Sequence, residues 1–164
     1  MENTPEQDPL KMVLAIFQQE KETDLAGRFG EKGLQIWRQA NTRQRLVTPD
    51  IVGTVKGSCG DTISIALCIN DDTIVRTDFD TDGCASSQIA GATAAALAMN
   101  KTLDEAVDIS DKDIIAAVGS FPAADSHCAY LAAAAVREAI HRWMIQHTHL
   151  LDATARSNAH DAKA

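Results

Sequence analysis

Between Thr62 and Phe79 the chain alternates twice, and no other stretch constrains its fold as tightly. Ile63, Ile65, Leu67 and Ile69 fall on one side of an extended segment, with Ser64, Ala66 and Cys68 on the other. Thr73–Phe79 alternates again, with Val75, Thr77 and Phe79 in phase. Asn70, Asp71 and Asp72 between the two supply residues suited to the tight turn of an antiparallel hairpin. Ile51–Lys56, short and rich in β-branched residues, predicts a third strand. A small three-stranded antiparallel sheet is expected.

Helical patterns flank that block. Leu10, Val13, Leu14 and Phe17 form an apolar stripe at i, i+3, i+4 and i+7, expected to break at Asp24–Gly27. Phe29, Gly33, Ile36, Trp37 and Ala40 make a second helical face. After Gly83 the pattern is helical throughout. Ser86–Met99 is rich in Ala and Gly, with Ile89, Ala92, Ala96 and Met99 expected to turn inward. Thr102 with Glu105 and Ser110 with Asp113 read as capping boxes. A last helix, capped by Asp125 or Ser126, is expected to run to about Gln146, followed by a polar, frayed tail. Strands in one block and helices in others predict an α+β fold.

Charge narrows the partners. The net charge is -8. Residues 1–57 balance eight basic against eight acidic side chains, so the whole excess lies in the half that holds the cysteines. That argues against nucleic acid or an anionic membrane as partner. No apolar run approaches the roughly 20 residues of a membrane span. The polar start, lacking a basic and apolar leader, predicts a cytoplasmic location. Four cysteines in a chain of this kind are expected to be reduced thiols available for metal or sulfur chemistry rather than disulfides.

Three short words carry the chemistry. Cys59 and Asp61 stand in Gly57-Ser58-Cys59-Gly60-Asp61, Cys84 in Gly83-Cys84-Ala85-Ser86-Ser87, and His127 beside Cys128 in Ser126-His127-Cys128-Ala129. Each falls at the edge of a predicted strand or helix. Three thiols, a carboxylate and an imidazole suffice to hold a soft metal or an iron–sulfur cluster, and one hard oxygen ligand would weaken that hold. Five candidates for four positions suit a site that loads and unloads. Cys84 precedes one helix and Cys128 begins another, so helix N-terminal potential is expected to favour both thiolates. Cys68, mid-strand, reads as a packing residue, and His141, His147, His149 and His160 as solvated.

Taken together, these words resemble the IscU/NifU-type scaffold proteins of iron–sulfur cluster assembly. The resemblance covers roughly residues 29–145: Phe29-Gly30-Glu31-Lys32, the three ligand words, and Lys101-Thr102-Leu103-Asp104-Glu105-Ala106. It implies a small antiparallel sheet covered by helices, and a scaffold for a [2Fe-2S] cluster built from iron and from sulfur delivered by a cysteine desulfurase. Cys59, Cys84 and Cys128 become the implied cluster cysteines, with Asp61 and His127 completing the site and Cys128 the implied persulfide acceptor. Implied partners are the desulfurase and apo iron–sulfur proteins such as ferredoxins, with zinc an alternative occupant of the cluster-free form. Such a protein carries metal and sulfur and is not an enzyme in the usual sense.

The resemblance divides the chain into an extension with an amphipathic helix (residues 1–28), a scaffold domain (29–146) and a polar C-terminal tail (147–164). The extension is left three roles: covering a surface, self-association as a homodimer, or docking a partner. Departures occur where Phe121-Pro122-Ala123-Ala124-Asp125 replaces the family's chaperone-read Leu-Pro-Pro-Val-Lys stretch, and where Ala85 follows Cys84 in place of glycine. The competing reading is a zinc-dependent sulfurtransferase of SufU type. Those relatives lack the histidine and carry an insertion before the last cysteine. His127 is present here and the interval from Cys84 to Cys128 is short, both of which favour the scaffold.

Overall fold

The computed structural model describes residues 8–161, with side chains described as far as Thr148. In chain order the elements are α1 (Pro9–Thr42), β1 (Ile51–Lys56), β2 (Thr62–Asn70), β3 (Thr73–Thr81), α2 (Ala85–Ala98), α3 (Leu103–Val107), α4 (Asp111–Val118), a 3-10 turn at Ala123–Asp125, and α5 (Ser126–Asp161). The fold is α+β, with one antiparallel sheet in the order β1-β2-β3.

The strands pair as expected. Ile63 faces Val55 and Thr81, and Leu67 faces Ile51 and Thr77. Asp71 and Asp72 both take positive φ (47° and 61°), the type I′ geometry that matches the twist of a two-residue hairpin. Ile63, Ile65 and Leu67 are fully buried under α2 and α5. Each such side chain contributes roughly 1.5–3 kcal/mol by leaving water. One expectation fails in β3. The register shifts between Cys68 and Ile69, so Ile69 pairs with Ile74 and Val75 has no partner. This bulge inverts the alternation: Ile74 enters the core while Val75 is exposed.

α1 corrects a second expectation. Its helical stripe does not break at Asp24–Gly27; the only non-helical residue inside it is Gly30, at φ 69° and ψ 178°. Glu22 and Arg38 stand 16 residues apart, which a straight helix would separate by about 24 Å. Arg38 Nη2 nevertheless lies 2.6 Å from Glu22 Oε2, and Lys21 Nζ sits 4.8 Å from the centre of the Trp37 ring. The chain therefore folds back at Gly30, whose left-handed φ a side chain would strain. Leu25, Phe29 and Leu34 of the two arms bury together with Ile89 and Val118. The stripe of Leu10, Val13, Leu14 and Phe17 is helical but exposed along its length.

Two helix assignments also change. In α2, Ala96 and Met99 are exposed, while Ala90, Gly91, Ala94, Ala95 and Ala98 are buried. The alanine-rich surface gave periodicity little to distinguish, and contact with the sheet on one side and α5 on the other decides the face. α5 does not end near Gln146 but continues to Asp161; no Gly or Pro interrupts residues 147–161. His141 and His147 are exposed, as expected, and the side chains of His149 and His160 lie outside the described ones. Both capping boxes form, Thr102 with Glu105 and Ser110 with Asp113. Among the described residues no helix is long and apolar enough to cross a membrane.

Candidate metal centre

Three connections meet at one end of the sheet: the loop from β1 to β2, the turn from β3 into α2, and the start of α5. The first is tight, with Gly57 N–H donating to the Asp61 carbonyl at 2.8 Å and Gly60 N–H to the Gly57 carbonyl at 3.1 Å. It is laced to the second by Thr62 N–H, which donates to Asp82 Oδ1 at 2.6 Å. Asp61, Cys84 and Cys128 each present a ligand atom here, all within 4.8 Å of one another. A Cβ on Gly83 would come within 2.4 Å of Asp61 Oδ2 and 2.6 Å of Ser87 Oγ. The glycine before Cys84 is thus what admits the carboxylate.

The other two candidates stand beside this group. His127 Nδ1–H donates to the Ala124 carbonyl at 3.2 Å, a partner that assigns the proton to Nδ1 and leaves the Nε2 lone pair available. Nε2 lies 3.5 Å from Cys128 Sγ. Cys59 shares the Asp61 loop, but its exposed thiol lies outside the three-donor group. Cys68 is remote, half-buried, with its thiol 3.6 Å from the Thr48 carbonyl, in keeping with a packing role.

The two helix-start thiols differ in a way the sequence did not foretell. Cys84 is the N-cap of α2 and is exposed. Its partial burial pushes the thiol pKa up, but the backbone N–H of Ser87, the Ser86 hydroxyl, the Ser86 N–H and the Ser87 hydroxyl outweigh it, and the net shift is down. Cys128 is 1% exposed. Burial pushes its thiol up to about 11; the Ser87 hydroxyl opposes this, and the neighbouring charges of Cys84, Asp125 and Asp61 add to it. The expected thiolate at Cys128 is therefore overturned: position at a helix start does not compensate for removal from water.

Two serines join these groups. The buried Ser87 hydroxyl donates to Asp61 Oδ2 at 2.7 Å and lies 3.5 Å from Cys128 Sγ, so it spans carboxylate and thiol. Ser86 Oγ donates to Asp125 Oδ2 at 2.7 Å, and Arg28 Nη2 donates to the same oxygen at 2.7 Å. Asp125, the last residue of the Phe121–Asp125 departure, is thus paired with Arg28, and the Ser86 hydroxyl and this guanidinium hold its carboxyl below the usual range. Neither serine stood out in the sequence; the signal was their place in the first turn after an N-cap cysteine, where side chains meet free backbone donors.

Comparison with known proteins agrees with this architecture. Residues 39–149 match the NifU-like N terminal domain. The chain is 38% identical over 92 residues to the iron-sulfur cluster assembly scaffold protein IscU 1 of Archaeoglobus fulgidus, covering 56% of this chain and 60% of that one. It is 29% identical over 133 residues to the nitrogen fixation protein NifU of a Nostoc species, covering 80% of this chain and 40% of that protein. It thus spans no more than about three fifths of these relatives. The fold superposes on the N-terminal part of a NifU-like protein from Brucella abortus with a TM-score of 0.50 at 21% identity, over 71% of this chain and 94% of that one. A scaffold candidate of the SUF system from Fervidobacterium islandicum superposes with a TM-score of 0.54 at 18% identity, over 70% and 98%. With the domain match spanning more than half its length, the chain belongs to the NifU-like N-terminal domain family.

Proposed function

We propose that this protein is a scaffold on which a [2Fe-2S] cluster is assembled and from which it is passed to apo-proteins such as ferredoxins. The observation that carries the reading is the convergence of Asp61, Cys84 and Cys128 within 4.8 Å. Two soft thiols and one hard oxygen grip iron and sulfide less firmly than four thiolates, which suits a cargo that must leave. Cys59 from the adjoining loop and His127 from the first turn of α5 complete the proposed set. The cluster is cargo, not a resident cofactor.

In this reading the two thiols divide the work. Cys84, exposed and with its thiolate favoured, meets incoming iron. Cys128 accepts sulfur once it is uncovered: its thiolate attacks the terminal sulfur of a desulfurase persulfide, a new S–S bond forms on Cys128, and the desulfurase cysteine leaves as thiolate. The sulfur so delivered needs two electrons from an external reductant of ferredoxin type before it becomes bridging sulfide. Ser87 hydrogen-bonds Asp61 and so orients the hard ligand toward the shared space.

One observation favours a second reading. A compact set of one carboxylate and two thiols, with further donors at the rim, also suits zinc with an exchangeable position. That would make the protein a zinc-dependent sulfurtransferase partner of the desulfurase. Anaerobic incubation with a cysteine desulfurase, L-cysteine, dithiothreitol and ferrous iron separates the two. The scaffold develops sulfide-to-iron charge-transfer absorption; the sulfurtransferase instead retains zinc and accelerates the desulfurase without colour.

A further inference from the structure

The bend of α1 reaches the segments that carry both helix-start cysteines. Phe29 packs edge-on against Phe121, with ring centres 5.3 Å apart, and the Ser120 hydroxyl donates to the Arg28 carbonyl at 3.3 Å. Beside these contacts Arg28 Nη2 donates to Asp125 Oδ2 at 2.7 Å and lies 3.4 Å from Ser86 Oγ, while Ser86 Oγ donates to that same carboxylate oxygen. Ser86 lies two residues after Cys84, and Asp125 three before Cys128. One guanidinium therefore joins the start of α2 to the turn that enters α5. The link is only partly shielded, Arg28 being 41% and Asp125 23% exposed, whereas Ser86 is fully buried.

We propose that Arg28 is a positioning residue for the metal centre. Acting through Asp125 and Ser86, it holds the first turn of α5 against the first turn of α2, and so keeps Cys128 covered and at its short distance from Cys84. Sulfur acceptance by Cys128 then requires this link to open. The consequence for cluster handling rests on the function proposed above; the positioning itself does not. The chemical need is plain from the burial: a thiol 1% exposed cannot meet a macromolecular sulfur donor without local opening. The Arg28–Asp125–Ser86 link closes the side on which Ala123–Asp125 leads into α5.

The test uses the metal-free protein and iodoacetamide, with labelling of each cysteine followed by mass spectrometry. A partly exposed ion pair restrains opening modestly, so Arg28→Ala is expected to raise Cys128 labelling about fivefold. Cys84 and Cys68 should stay within about twofold of their original rates. Arg28→Lys, and the exchanged pair Arg28→Asp with Asp125→Arg, should restore slow labelling of Cys128. If Arg28→Ala unfolds, Asp125→Asn provides the same break with an isosteric side chain. Unchanged Cys128 labelling in a folded variant overturns the proposal. So does an equal rise at Cys68, in the distant sheet, which would mark general loosening. Because the readout needs no cluster, failure of the scaffold reading would appear separately, as colourless reconstitution of the unaltered protein.

Discussion

Cys84 and Cys128 begin two helices that pack on one another, share the Ser87 hydroxyl, and differ in their access to water. The exposed thiol at the N-cap of α2 is shifted toward thiolate by the nearby N–H and hydroxyl groups of Ser86 and Ser87, against the effect of its partial burial. The buried one is pushed up to about 11 although it also lies in a first turn. A helix N-terminus offers a favourable field, but desolvation of a charge costs more than one hydroxyl contact returns. Asp78 shows the other resolution of the same conflict. It is 6% exposed, yet Arg43, the Leu46 N–H and the Phe79 N–H hold its carboxyl below the usual range against the opposing effect of burial. What separates a buried anion from a buried neutral group here is the number of donors that surround it.

The largest effect should come from removing either thiol. Cys84→Ser or Cys128→Ser is expected to abolish a stable cluster after anaerobic reconstitution, whereas Cys68→Ala should reconstitute normally. A normal cluster in either serine variant removes that residue from the site. Next comes the carboxylate between them. Gly83→Ala places a methyl group 2.4 Å from Asp61 Oδ2, so the carboxylate must move. We expect a stability loss of about 1–3 kcal/mol and a sharply lower cluster yield; unchanged yield would mean that Asp61 is not positioned by this approach. Asp61→Cys makes the set softer and should give a cluster that transfers several-fold more slowly.

The comparison is sharpened most directly by reactivity. In the metal-free protein at neutral pH, Cys84 should alkylate at least about tenfold faster than Cys128, because only the former is both exposed and shifted toward thiolate. Equal rates would erase the distinction. The smallest effect concerns Asp78 and acid. Its folded pKa lies below the unfolded value near 3.8, so its stabilisation is full above that value and declines as pH falls through the folded pKa. Asp78→Asn should lower stability at neutral pH by about 1–3 kcal/mol, and the difference from the unaltered protein should shrink below pH 4. Denaturant melts at pH 7 and pH 3 measure it.

Local chemistry made much of this legible. The Ile63–Leu67 alternation, the Asn70–Asp72 turn and both capping boxes are governed by neighbours in sequence, and all form as read. The three words that hold the candidate ligands were visible from residue type and element edges, and Asp61, Cys84 and Cys128 from them converge within 4.8 Å. What stayed hidden depends on partners distant in the chain. The bulge that exchanges Val75 for Ile74 arises in strand pairing, and the fold-back at Gly30 is secured by Glu22–Arg38 and by burial of Leu25 against Leu34. The burial of Cys128 needs α2 in place, and Arg28 meets Asp125 only across 97 residues of chain. Gly27 and Gly30 are equivalent to a periodicity argument; only the second takes a left-handed φ.

The most direct test of the account is transfer. The protein, loaded anaerobically with ferrous iron and desulfurase-derived sulfur, is mixed with an apo-ferredoxin, and the visible circular dichroism of each partner is followed with time. The account expects the scaffold signal to fall as the ferredoxin signal rises, at a rate slowed by Asp61→Cys. Zinc that stays bound while no cluster signal develops, or a cluster that forms and never leaves, would contradict it.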